Sequence, residues 1–310
     1  MILVTGSAGL IGHAIGKRLS DAGIAWRKYD LRDHPSLDTR DKVALRHALD
    51  GVTGIVHLAA VSRVVWAEEA PAHAQSVNVE ALAGLIELLG AMPQRPWLIF
   101  ASSREVYGEQ QTLPVCEDAP LLPLNTYART KVAGEQLVNA AGEDGLHTQI
   151  VRFSNVYGTT DDHEDRVVPA FARTAALGGT LRVDGSGNMF DFTHVDDAAD
   201  GLFKTIEAVV AGENMPPLHF LTGAGTTLGE LADLAQQNAR SAIDRTEAPS
   251  RKFDVSRFVG DPARAQALLG WRSQITIADG FSRLVGQFET ETGSPEQRIM
   301  QQSTAASALG

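Results

Sequence analysis

Short apolar runs alternate with helical stretches along the first half of the chain. MILVT (1–5), IAWRKYD (24–30), GIVHLAA (54–60), WLIFASS (97–103) and HTQIVRF (147–153) read as five strands. GSAGLIG leads from the first of them into a helix through Leu19. Strands separated by helices pair in parallel through right-handed crossovers, which predicts an α/β, Rossmann-type doubly wound sheet. Runs such as WLIF are apolar on both faces, as a sheet covered on both sides requires.

After about residue 155 the rhythm changes. Loops lengthen (GTTDDHEDR, VDGSGNMFDF, AVVAGENMPP) and helices alternate with shorter apolar segments. This predicts a main domain over 1–155 and a smaller α/β substrate lobe over 156–288, with segments from about 185–215 returning to the main sheet. TTLGELADLAQQ and DPARAQALLGW read as capped helices, with Thr227 and Asp261 as N-caps. The final stretch, 289–310, is polar and rich in small residues, and is expected to be a disordered tail. No internal repeat is evident.

Charge and composition narrow the partners. The 310 residues carry a net charge of -11, which argues against nucleic acid or an anionic membrane as partner. An acidic chain can still hold an anionic ligand locally, with helix N-termini and a few arginines. The single cysteine, Cys116 in LPVCEDAP, permits no intramolecular disulfide and no cysteine-rich metal site, and no metal is expected. No apolar run reaches the ~20 residues of a membrane span, and no basic leader precedes MILVTG, so a cytoplasmic protein is expected.

The chemistry begins at Gly6-Ser7-Ala8-Gly9-Leu10-Ile11-Gly12, between a strand and a helix. Glycines there permit a tight turn and close approach of the backbone to a pyrophosphate on the helix N-terminus. Asp30 ends the second strand, where its carboxylate can accept from ribose hydroxyls and repel a 2′-phosphate. NAD is therefore favoured over NADP, although Arg32 could receive such a phosphate.

Tyr127 and Lys131 are four residues apart in NTYARTKVAGEQL, so on a helix they stack on one face. A nearby ammonium favours phenolate, which lowers a tyrosine pKa from about 10 toward neutrality and suits it to general-base work. Taken alone, the spacing fits a surface helix with a snorkelling lysine equally well.

The Gly-x-x-Gly-x-x-Gly spacing together with Tyr-x-x-x-Lys resembles the extended short-chain dehydrogenase/reductase family, in particular its nucleotide-sugar epimerases and dehydratases. The resemblance spans about residues 1–285. It implies a bound NAD touched by Gly6, Gly9, Leu10, Ile11, Gly12, Asp30, Leu31, Arg32 and Asp38. It also implies contacts to NAD from Leu58, Ala59, Ala60, Asn78, Ser102, Tyr127 and Lys131. Asp38 would approach the adenine, and Asn78 would brace the active-site backbone. His57 fits a packed strand-end histidine better than a catalyst. The catalytic set would be Ser103, Tyr127 and Lys131. Ser103 would hydrogen-bond the alcohol being oxidised, and Tyr127 would take its proton. Lys131 would lower the tyrosine pKa and hold the nicotinamide ribose.

The same resemblance frames the substrate, a nucleotide sugar and most simply a UDP-sugar. Dehydratases of the family show Asp-Glu after the catalytic hydroxyl; this chain has Arg104-Glu105, and arginine cannot act as a general acid at neutral pH. Glu105 keeps a decarboxylase open. Asn155 in VRFSNVYG would contact the sugar diphosphate, and Val168 would lie beside the base. Where the family has a diphosphate-clamping arginine, this chain has Phe190. Arg182, Arg251 or Arg257 would then supply the charge, Arg251 being preferred, or the substrate is unusual. Asp196 and Asp197 are expected to cap the helix that begins there. A 4-epimerase working through a 4-keto sugar is the leading expectation. A decarboxylase, a dehydratase or a reductase of an atypical substrate are its rivals, together with a non-catalytic dinucleotide sensor. The family also implies a homodimer.

Overall fold

The computed structural model describes residues 1–250 and 255–291. Strands β1 (Ile2–Thr5), β2 (Trp26–Tyr29), β3 (Gly54–His57), β4 (Trp97–Ser103) and β5 (Thr148–Phe153) fall inside the five apolar runs. Between them lie α1 (Leu10–Asp21), α2 (Lys42–Ala48), α3 (Val64–Glu69), α4 (Pro71–Gln75), α5 (Ala81–Gly90) and α6 (Thr126–Glu143). A turn of π-helix (Ser76–Glu80) precedes α5, and a 3-10 turn (Arg104–Tyr107) follows β4. The second half adds β6 (Asn155–Tyr157), α7 (Val167–Leu177), β7 (Thr180–Asp184), β8 (Met189–His194), α8 (Val195–Val210) and β9 (Leu218–Phe220). It closes with β10 (Gly225–Thr227), α9 (Leu228–Asn238), β11 (Asp244–Ala248), α10 (Ala263–Leu269) and α11 (Ile277–Glu291).

The main sheet has the order β2-β1-β3-β4-β5-β9, with every pairing parallel. From β1 the chain moves outward to β2, then crosses back over β1 to β3. That reversal opens a crevice at the carboxyl ends of β1 and β3, where open α/β sheets bind ligands. Alternate strand residues serve opposite faces. Ile2, Val4, Val56, Ile99 and Val151 join the core under α1 and α8, whereas Leu3, Ile55, Leu98, Phe100 and Ile150 join the core under α2, α5 and α6. Each of these buried apolar side chains contributes on the order of 2 kcal/mol through lost water contact. A further core gathers Phe171, Leu181, Phe190, Phe192, Leu231 and Phe281 between α7, α9, α11 and the strands β7 and β8.

Some expectations hold and others are revised. The segments that return to the main sheet are α8, packed on α1, and β9 at its edge; β8 instead pairs with β6 and β10. Helix α11 continues to Glu291, three residues into the expected tail, and residues 292–310 lie outside the described residues. Thr227 caps α9 in a full capping box with Glu230. Asp261 sits one residue before the N-cap position of α10, Pro262, and from there accepts from the Ala263 N–H at 2.9 Å. The cap of α8 is His194, whose ring accepts from the Asp196 N–H at 3.2 Å. Asp197 faces inward instead. Its Oδ2 accepts from the Ser273 hydroxyl and from the Gln274 and Ile275 N–H groups at 2.7, 3.0 and 2.9 Å.

Candidate active site

A cleft of about 790 Å³ opens at the carboxyl ends of the main strands and extends to the second core. The loop after β1 supplies its floor. Gly6 has φ +70, a left-handed conformation, and a Cβ there would lie 2.7 Å from the Ala59 nitrogen. A Cβ on Gly12 would fall 2.1 Å from the Gly6 carbonyl oxygen. Gly9 N-caps α1 without any side-chain hydrogen bond, so the first amides of the helix stay open beside Leu10 and Ile11, which line the cleft. Asp30 Oδ2 accepts from the Ala8 N–H at 3.0 Å and Oδ1 from the Arg32 N–H at 2.9 Å. Those bonds fix the carboxylate at the rim with acceptor capacity to spare. Close backbone approach, an open helix N-terminus and a fixed carboxylate fit a dinucleotide.

Gly12→Ala should therefore destroy dinucleotide binding, because the added methyl meets backbone rather than a movable side chain. Fluorescence titration with NADH checks this, and wild-type affinity in the variant would show that the turn has room.

Around this loop, Leu31, Arg32, Leu58, Ala59, Ala60 and Ser102 also line the cleft, as does Asp38. The Arg40 guanidinium grips the Asp38 carboxylate and holds it below the usual carboxylate range. Asn78 is not part of the lining. Buried in the π-helical turn, it accepts from the Val61 N–H at 2.8 Å and donates to the Thr130 hydroxyl at 2.9 Å. It therefore ties the loop after β3 to α6. His57 is packed: Thr5 Oγ1 lies 2.9 Å from Nδ1, and burial brings its pKa down to about 3.

Helix α6 carries the central pair. Asn125 caps it by accepting from the Ala128 N–H at 2.8 Å, and Tyr127, Lys131, Glu135 and Val138 follow one another down its buried face. Ser103, at the end of β4, lies beside the Tyr127 phenol and favours its charged form. Lys131 Nζ donates to the Ala101 carbonyl at 2.8 Å and lies 5.8 Å from the tyrosine ring centroid. The expected lowering of the tyrosine pKa is not what this geometry gives. Burial pushes Tyr127 up to about 12, with Ser103 opposing it, and burial brings Lys131 down to about 8. Desolvation disfavours charge on either group and is the largest cause for both.

At the second core, Asn155 lies at the start of β6, and α7 starts at Val167, so Val168 enters the lining as expected. Arg182 lines the cleft but is exposed and paired with Asp184 at 2.8 Å. Arg257 is exposed and is not among the described lining residues, and Arg251 lies outside the described residues. Phe190 is buried, and the Arg104 guanidinium stacks over its ring at 4.9 Å. Sequence reasoning placed Arg104 on the substrate side but not against Phe190, because the contact joins β8 to the turn after β4. It also missed Arg63 and Arg166, cleft residues paired with Asp165 and Asp162, whose loop positions carry no periodic signal. Glu105 is bound on both sides. One oxygen takes Arg104 at 2.8 Å and the other takes the Asn125 side chain at 2.9 Å.

Known proteins resemble this chain in sequence and fold. Residues 2–218 match the family model described as the NAD dependent epimerase/dehydratase family. A UDP-glucose 4-epimerase from Mycolicibacterium smegmatis is 29% identical over 94% of this chain and 99% of its own length. The structure of MoeE5 in complex with UDP-glucose and NAD superposes with a TM-score of 0.86 at 25% identity, covering 94% of this chain and 99% of that one. UDP-glucose 4-epimerase from Thermus thermophilus in complex with NAD gives 0.82 at 27% identity, over 93% and 98%. With the glycine turn, the fixed Asp30 and the Ser103–Tyr127–Lys131 cluster in one cleft, the chain belongs to the NAD-dependent epimerase/dehydratase family of enzymes, with NAD as its cofactor.

Proposed function

We propose that the enzyme interconverts nucleotide-activated sugars that differ in configuration at C4. The observation that carries this is the buried Tyr127 and Lys131 on one face of α6, with Ser103 beside the phenol, in a cleft shared with the glycine turn. Ser103 and Tyr127 hold the sugar hydroxyl between them. Tyr127 takes its proton, and gives one back on the return. NAD held on the Gly6–Gly12 turn supplies reversible hydride acceptance. Lys131, anchored on the Ala101 carbonyl, fixes the face of α6 that presents the phenol. UDP-sugars are the favoured substrates, in line with the UDP-glucose bound to MoeE5 and the epimerase activity named for the relatives.

Glu105 weighs against dehydration and decarboxylation. A carboxylate spanned by Arg104 and Asn125 is a structural bridge rather than a free acid–base group. The purified enzyme should convert UDP-glucose to UDP-galactose, or UDP-glucuronate to UDP-galacturonate, without consuming added NADH, as followed by chromatography. Stoichiometric NADH consumption with no epimer formed would replace this reading with a reductase.

A further inference from the structure

We propose that Arg104 reads a carboxylate on the sugar, so that the preferred substrate is a nucleotide-activated hexuronic acid. The inference rests on the nucleotide-sugar reading above and specifies the sugar it leaves open. Arg104 directly follows Ser103 in the turn at the carboxyl end of β4, and its side chain lines the cleft while only 9% exposed. A guanidinium offers five N–H donors and no acceptor. Here Nη2 meets Glu105 Oε1 at 2.8 Å, whereas Nε and Nη1 are buried with no hydrogen-bond partner among the described residues. The flat of the group lies against aromatic rings, 4.9 Å from the Phe190 centroid and 5.7 Å from that of Phe258. Glu105 is itself held by Asn125, the cap of the catalytic helix. The cation is thus fixed by its faces and one nitrogen, and two buried nitrogens remain unspent. Buried donors without partners are costly, and an oxyanion is the ligand group that satisfies two of them at once.

A nucleotide sugar can bring two kinds of oxyanion. The diphosphate leaves the sugar at C1, across the ring from the C4 alcohol that Ser103 and Tyr127 serve. A hexuronate carboxyl is attached to C5, next to that alcohol. Arg104 adjoins Ser103 in sequence, and its charge is felt at the Tyr127 phenol. The guanidinium therefore stands at the reacting edge of the sugar. Phe190, in the place of an expected arginine, becomes the platform for an arginine delivered from β4.

Isothermal titration of the NAD-loaded enzyme with UDP, UDP-glucose and UDP-glucuronate tests the assignment. Wild type should bind UDP-glucuronate about 30-fold more tightly than UDP-glucose. Arg104→Gln should erase that preference while leaving UDP affinity intact, and Arg104→Lys should restore part of it. Equal wild-type affinity for the two sugars would overturn the proposal without any variant. So would an Arg104→Gln loss of the same size for UDP, which would place the guanidinium on the diphosphate. Epimer formation separates the two readings. Selective UDP-glucuronate binding with no epimer formed leaves the carboxylate assignment standing and sinks the epimerase. Efficient epimerisation of UDP-glucose without preference does the reverse.

Discussion

Tyr127→Phe is expected to lower kcat by about a thousandfold while NADH still binds with wild-type affinity. The substitution removes one oxygen from a ring that is already buried, so the fold keeps its packing and the glycine turn is untouched. What disappears is the group proposed to accept the proton of the sugar hydroxyl. A second readout comes from pH. Burial holds the phenol near 12, so at neutral pH the phenolate is the minor form and its fraction grows with each unit of pH. Wild-type kcat should therefore climb through the neutral range until Lys131 discharges near 8, and the variant should lose that climb. Near-wild-type turnover in Tyr127→Phe would remove the tyrosine from the chemistry.

The second large effect is on stability. Arg152 of β5 makes two bonds to Glu135 of α6, at 2.8 and 2.6 Å, and also donates to the Tyr107 hydroxyl and the Glu117 carbonyl. Both side chains of the pair are nearly inaccessible, at 5% and 3%. Arg152→Met leaves a carboxylate in the interior without its partner and should cost about 3–5 kcal/mol in urea unfolding. The double variant Glu135→Leu/Arg152→Met removes both charges and should recover most of that loss. A single variant as stable as wild type would show that water or another cation reaches Glu135. The pair has a functional side as well. Glu135 lies one turn beyond Lys131 on the same helix face, so this clamp fixes the catalytic helix against the sheet.

Much of this was legible in the chain because it depends on local rules. Apolar runs with glycine and helical stretches between them locate β1 to β5, since a strand buried on both faces must be apolar throughout. Helical spacing alone places Tyr127 over Lys131. The glycine turn is legible because only glycine tolerates the approach seen at Gly6 and Gly12. The caps of α8 and α10 were less so. An Asp-Asp pair satisfies the cap pattern, but Asp197 is drawn inward by the Ser273–Ile275 segment, far away in sequence. The tyrosine pKa failed for a related reason: spacing reports which groups are neighbours, whereas burial decides which charge they can bear.

The sequence by itself determined the parallel sheet and the dinucleotide turn, because each follows from periodicity or backbone sterics within a short stretch, whereas the Ser103–Tyr127–Lys131 set came from the family resemblance. Only the tertiary structure decided what packs against Phe190. Phe190 looked like a lost cation along the chain. In space, β8 brings its ring beneath Arg104, which follows β4, and a guanidinium held by aromatic faces and a bridging glutamate lines the cleft there. Contacts between segments so distant leave no local pattern, since any residue able to pack there satisfies the local rules of its own strand.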